Sequence, residues 1–124
     1  MAVQAVAKRV RISPRKVSVV AGLVRGRTVA DALTILEHTP RRAALPLSKV
    51  IKSARANAEH NHNYKPDTLK ITMISVTSGP TLKRFRPVSR GMAHPFQRRS
   101  SFIKVVVEGE QRVAKKPAKK EETK

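Results

Sequence analysis

Between two segments that alternate like β-strands, residues 69–76 and 101–107, the chain runs through TLKRFRPVSRGMAHPFQRRSS, residues 81–101. That stretch holds six Lys or Arg, no Asp or Glu, and few large apolar side chains. It is far longer than the roughly two to five residues that close most β-hairpins. With no apolar face to bury, it must leave the core as an arm rather than fold back into it. About ten residues a side at about 3.3 Å each reach roughly 30 Å. Two strands alone are marginal in water, and Pro80, Pro87 and Pro95 each remove a ladder donor. Gly91, beside the small Ser89 and Ala93, suits a sharp turn at the tip.

Charge says what orders such an arm. The 124 residues include 27 Lys plus Arg against 8 Asp plus Glu, a formal net of +19. Residues 68–107 contain no acid at all. A surface shaped only for solubility mixes both signs, whereas this one calls for a polyanion, nucleic acid before any other. A membrane surface would require an amphipathic basic helix with bulky apolar anchors, which is absent, and no run is long enough to cross a bilayer. Without cysteine there are no disulfides and no thiolate metal sites. The opening MAVQAVAKRVRISPRK lacks a secretory signal's apolar run, so a cytoplasmic location is expected.

The remaining pattern predicts a β-α-α-α-β-β order. Residues 3–12 read as a short strand, with Val6, Val10 and Ile12 opposite Arg9 and Arg11, and Lys8 interrupting the apolar side. Ser13-Pro14 is a cap followed by proline at the first helical position; Val17, Val20, Ala21 and Val24 form a stripe, and Gly26 marks the stop. Thr28 and Asp31 make a capping-box-like start for a stripe of Val29, Ala32, Leu33 and Leu36. Thr39-Pro40 repeats the cap-and-proline signal, opening a long third helix to about Asn61. Its buried face is Ala43, Leu47, Val50, Ile51, Ala54 and Ala58. Pro46 predicts either a kink or a start near that residue. Residues 61–67 read as a polar turn. In the last strand Ile103, Val105 and Val107 share a face. The whole is an α+β domain, residues 1–111, with three helices on a small three-stranded sheet and a hairpin extension over about 79–101. Residues 112–124 form a basic, low-complexity tail expected to be disordered.

No catalytic constellation appears among the acids, and Glu108 and Glu110 read as a solvated strand end. The five glycines are dispersed, so no phosphate loop of nucleotide-binding type is present. His60 and His62 lack a third ligand, and the helix dipole accounts for them at a helix C-terminus. No metal, cofactor or enzymatic activity is expected. Ser13-Pro14-Arg15-Lys16 resembles a minor-groove tail but is better explained as a helix start. Phe85, Phe96 and Phe102 are too few for a base-stacking sheet. The candidate binding groups are therefore basic. Arg9, Arg11, Arg15, Lys16, Arg25 and Arg27 surround the first strand and helix; Lys83, Arg84, Arg86, Arg90, Arg98 and Arg99 lie in the arm; Lys104 lies in the last strand.

Three functions compete: a structural RNA-binding protein, a free nucleic-acid chaperone or architectural protein, and a small enzyme acting on nucleic acid. A long ordered arm is superfluous for sequence-independent binding, and the third option lacks its chemistry. The blocks SPRKVSVVAGLVRGRTVADALTILEHTPRRAA, SARANAEHN, GPTLKRFRPVSRGMAH and FIKVVV, spread over residues 13–107, are similar to the bacterial large-subunit ribosomal protein twenty-two family. That resemblance implies a domain on the subunit exterior that binds large-subunit ribosomal RNA, touches neighbouring ribosomal proteins and supports assembly. It also implies a hairpin whose tip, Arg90, Gly91, Met92, Ala93 and His94, faces the nascent peptide in the exit-tunnel wall.

Overall fold

The computed structural model describes residues 1–112; the expected disorder of the tail falls outside the described residues from 113 onward. Three helices pack on one face of an antiparallel sheet formed by β1 (Val3–Val10), β5 (Ser101–Glu108) and β2 (Lys70–Ser78), in the order β1-β5-β2. A second, two-stranded sheet pairs β3 (Leu82–Pro87) with β4 (Ala93–Arg98). The architecture is α+β, as the pattern predicts.

The central strand needs the least explanation. Ile103, Val105 and Val107 alternate along β5 and are fully buried under the helices. Both edge strands break their alternation to follow it. In β1, Ala7 pairs with Ile103 but Val10 with Ser101, so one extra residue is inserted, and Arg9 takes a left-handed φ of 56°. The inward face of β1 is therefore Val3, Ala5 and Ala7 before the bulge, with Val10 and Ile12 half-buried after it. The expectation that Val6 shares the face of Val10 and Ile12 is corrected: Val6 is exposed, because a bulge inverts the facing of everything beyond it. In β2, Ile71 pairs with Val107 and Met73 with Val106, so Ile71 and Ile74 turn inward while Met73 turns out.

Helix α1 (Pro14–Val24) begins with proline where no backbone N–H is needed. Ser13 stands at the cap position, but its side chain makes no capping bond; its carbonyl accepts from the Lys16 and Val17 N–H groups at 3.1 and 3.2 Å. Gly26, φ 77°, follows the C-cap Arg25 as the stop signal predicts. Helix α2 (Val29–His38) has the predicted start: the Asp31 N–H donates to Thr28 Oγ1 at 3.3 Å, and that hydroxyl donates to Asp31 Oδ2 at 2.7 Å.

Helix α3 (Ala44–His62) begins later than Thr39-Pro40 suggests. Thr39 is instead the C-cap of α2, its hydroxyl donating to the Ile35 carbonyl at 2.6 Å. Pro40 pushes the residue before it out of the helical region, so the pair ends one helix rather than opening the next. Pro46 then sits in the first turn of α3, where its missing N–H costs nothing, and no kink is required. The polar turn also hides a core residue: Tyr64 follows the left-handed Asn63, is 1% exposed, and its hydroxyl donates to the Met1 carbonyl.

Candidate nucleic-acid interface

Strand pairing gives the domain two chemically different ends. The Val3–Val107 and Ile71–Val107 pairs put the start of β1, the start of β2 and the end of β5 together, and Thr28 bridges Lys70 at the same end. Five of the six acids among the described residues gather there: Asp31, Glu59, Asp67, Glu108 and Glu110. Both ion pairs among the described residues lie at this end, Lys65–Glu110 at 3.9 Å and Arg112–Glu59 at 3.4 Å. The sixth acid, Glu37, sits exposed in the last turn of α2.

At the opposite end, where β2 and β5 pass into the hairpin, a cleft of about 700 Å³ opens. The β1–α1 junction contributes Arg11, Arg15 and Lys16 to its lining. The α2–α3 connection contributes Arg41 and Arg42, and the end of β4 with its exit contributes Arg98 and Arg99. No acid lines it. Its apolar lining is aliphatic, from Ile12, Val19, Val20 and Ala43, with no aromatic ring. Seven cations around a concavity with no counter-charge among the described residues repel one another within the ~8 Å Debye length of physiological salt. A phosphate backbone reverses the sign of that interaction.

The hairpin carries its arginines Arg84, Arg86 and Arg98 on one face. Its register pairs Leu82 with Arg98, Arg84 with Phe96, and Arg86 with His94. These residues share one face, because directly opposite residues of an antiparallel ladder project the same way. Phe96 lies at its centre, with the Arg86 and Arg98 guanidinium carbons 5.4 and 5.2 Å from the ring centroid. At exposed sites such contacts are worth about 0.5–1 kcal/mol each, enough to hold the arginines splayed but not to anchor the arm. The other face carries Lys83, Phe85, Pro87, Ala93, Pro95 and Gln97. Phe85 there is 71% exposed.

At the tip, Ser89–Gly91 form a single turn, with Arg90 at φ 59° and Gly91 at φ 68°. Two successive left-handed residues reverse the chain, which a glycine adopts without strain. Met92, Ala93 and His94 continue from the turn, all exposed. The arm's root is tight. Gly79 N–H donates to the Ser100 carbonyl at 2.9 Å, and the Ser100 hydroxyl donates to the Pro80 carbonyl. A Cβ on Gly79 would lie 2.7 Å from Ser100 Oγ, so only glycine fits without a shift.

Of the thirteen predicted binding residues, the cleft unites Arg11, Arg15, Lys16, Arg98 and Arg99. Arg9 stands exposed on the β1 bulge. Lys83, Arg84, Arg86 and Arg90 lie along the arm. Arg25 and Arg27 stand at the other end of α1 with structural partners: Arg25 Nη2 donates to the Ile74 carbonyl at 3.1 Å, and Arg27 Nε to the Leu23 carbonyl at 3.0 Å. Lys104 is half-buried on the open sheet face between Val6 and Ser75. Arg41 and Arg42 escape the sequence reading because Thr39-Pro40 mimics a helix start, which placed them inside a helix rather than at a rim.

Among the described residues no group of three or more His, Cys, Asp or Glu could hold a metal ion, and no helix is long and apolar enough to cross a membrane. The family model for ribosomal protein L22p/L17e matches residues 5–108, from the third residue of β1 to the last of β5. The match takes in all three helices, both sheets and the cationic cleft. This chain belongs to the ribosomal protein L22p/L17e family, structural and RNA-binding constituents of the large ribosomal subunit.

Proposed function

We propose that the globular domain docks this protein on the exterior of the large subunit, while the hairpin threads between rRNA segments and supports assembly. Its tip, Arg90 to His94, then lines the nascent-peptide exit tunnel. One observation carries this reading: a cationic cleft continues directly into an arm whose residues 82–98 bury almost nothing. An arm with no internal reason to be ordered acquires one only if folded RNA surrounds it. Nine residues from Gly79 to Pro87, at about 3.3 Å each, carry the tip roughly 30 Å from the sheet. That is enough for one protein to be anchored at a surface and act in an interior channel. Catalysis has no part in the role.

A photoreactive amino acid placed at Met92, which is 67% exposed, tests the tip assignment on translating ribosomes. Crosslinks from position 92 to nascent chains, and none from an equivalent probe at Lys52 on α3, are the expected result. Crosslinks from 92 to rRNA alone would remove the tip from the tunnel surface. Separately, a chain with residues 82–98 replaced by a short turn should still cosediment with large subunits through high salt. Loss of that variant from the subunit would make the hairpin the main anchor.

A further inference from the structure

The cleft at the hairpin root has two walls that belong to different bodies. Arg11, Arg15, Lys16, Arg41 and Arg42 stand on the domain, whereas Arg98 ends β4 and Arg99 follows it at the hairpin root. Strands β3 and β4 pack chiefly on each other, and no ion pair joins hairpin to domain among the described residues. Among the described residues only 79–81, with Arg99 and Ser100, link the two sheets, and these two segments are hydrogen-bonded to each other. Like charge on both walls makes their approach unfavourable in the free protein.

The lining also defines the ligand. Six of its seven cations are arginines, whose planar forks match phosphate oxygens in pairs. An aliphatic floor offers no ring on which a base can stack, so the lining suits backbone phosphates rather than stacked bases. Helix α1 directs its first turn at the same space, and its cap residue Ser13, which lines the cleft, makes no side-chain capping bond.

We propose that this cleft is a clamp for the sugar-phosphate backbone of folded rRNA. It takes at least two phosphates between Arg41 and Arg42 on one wall and Arg98 and Arg99 on the other, and its filling fixes the direction of the hairpin relative to the domain. The proposal rests on the rRNA-binding reading and adds to it a site and a mechanical consequence. Phosphates between the walls replace repulsion across the cleft by attraction to both sides. RNA thereby aims the arm before the tip reaches its own surroundings.

The chain contains no cysteine, so Lys52→Cys on α3 and Ser89→Cys at the tip accept a pair of spin labels cleanly. Distances between them are measured by pulsed electron resonance in the full chain, free and with a transcript of large-subunit rRNA. The doubly labelled protein should give a broad distribution when free and one narrow peak with RNA. Arg41→Gln with Arg42→Gln should lower the slope of log affinity against log salt by about 1.4–1.8, at roughly 0.7–0.9 for each phosphate no longer neutralised. With saturating RNA the distribution should stay broad. Arg98→Gln with Arg99→Gln, from the opposite wall, should do the same. All four side chains are exposed, so an unchanged melting temperature shows that each variant is folded. A wild-type slope and a narrow peak in both variants overturn the clamp while leaving rRNA binding intact. A reduced slope with a narrow peak keeps the phosphate site and overturns the coupling to hairpin direction. Failure of the labelled wild-type protein to bind the transcript overturns the rRNA-binding reading itself.

Discussion

The two sheets of this protein are built from the same backbone ladder yet live in different solvents. In the three-stranded sheet, Ile103, Val105 and Val107 are fully buried beneath three helices. In the hairpin, every residue of β3 is exposed, and Phe96 is the sole residue of β4 that is even half-buried. Backbone hydrogen bonds are present in both. What differs is the apolar area removed from water, and that term decides whether a ladder holds by itself. The domain is stabilised from within, while the hairpin waits for a partner.

Amide exchange offers the sharpest test of this contrast. In the free protein, amides at 82–87 and 93–98 should exchange near the rate of an open chain. Those of Val105 and Ile74 should be slower by at least about a thousandfold, as befits positions that open only on global unfolding. Comparable protection in both sheets would break the comparison outright.

Core substitution should show the same asymmetry in equilibrium stability. Leu47 is fully buried on α3, and Leu47→Ala should cost about 2–5 kcal/mol by chemical denaturation. Phe85→Ala, removing a larger side chain from the hairpin, should stay within about 0.5 kcal/mol of wild type. A substantial loss at Phe85 would mean that the arm folds back on the domain.

Charge changes should sort by location. Arg84→Gln with Arg86→Gln should leave denaturation unaltered and reduce the salt slope of rRNA binding by about 1.4–1.8. Arg25→Ala should behave in the opposite way. It loses the bond to the Ile74 carbonyl on the edge of β2, at about 0.5–1.5 kcal/mol, and a change in stability larger than the change in slope would mark it as a structural arginine.

The smallest expected effect lies at Arg9, whose left-handed φ of 56° pins the β1 bulge. Arg9→Gly should be neutral or stabilising by up to about 1 kcal/mol, because glycine meets no Cβ penalty there, while lowering the salt slope by about 0.7–0.9. Loss of stability would show that the arginine side chain, rather than the bulge, holds that corner.

Much of the fold was legible in the chain because its signals are local. Proline at the start of α1, the Thr28–Asp31 pair, the stripes of α1 and α2 and the alternation of β5 each involve residues within a turn or two of one another. The acid-free arm was equally plain, since excess charge without an apolar face has few alternatives to projecting outward. The bulges in β1 and β2 were invisible. Whether Val6 or Ala7 faces the helices depends on a register with β5 that lies almost a hundred residues further along the chain. Pro40 misled because Ser/Thr-Pro both closes and opens helices; here Thr39 closes α2, its hydroxyl donating to the Ile35 carbonyl.

Composition by itself pointed to a polyanionic partner, and local periodicity marked out the elements that carry the charge. Tertiary structure alone decided which charges act together. Arg11, Arg41 and Arg99 are thirty and fifty-eight positions apart along the chain, yet line one cleft, because antiparallel pairing sets the end of β1 beside the hairpin root and helix packing carries the α2–α3 connection to the same end. It equally removed Arg25 and Arg27 from that group by giving them backbone carbonyls to hold. Electrostatic cooperation depends on distance in space, and sequence separation carries almost no information about that distance until strand register is set.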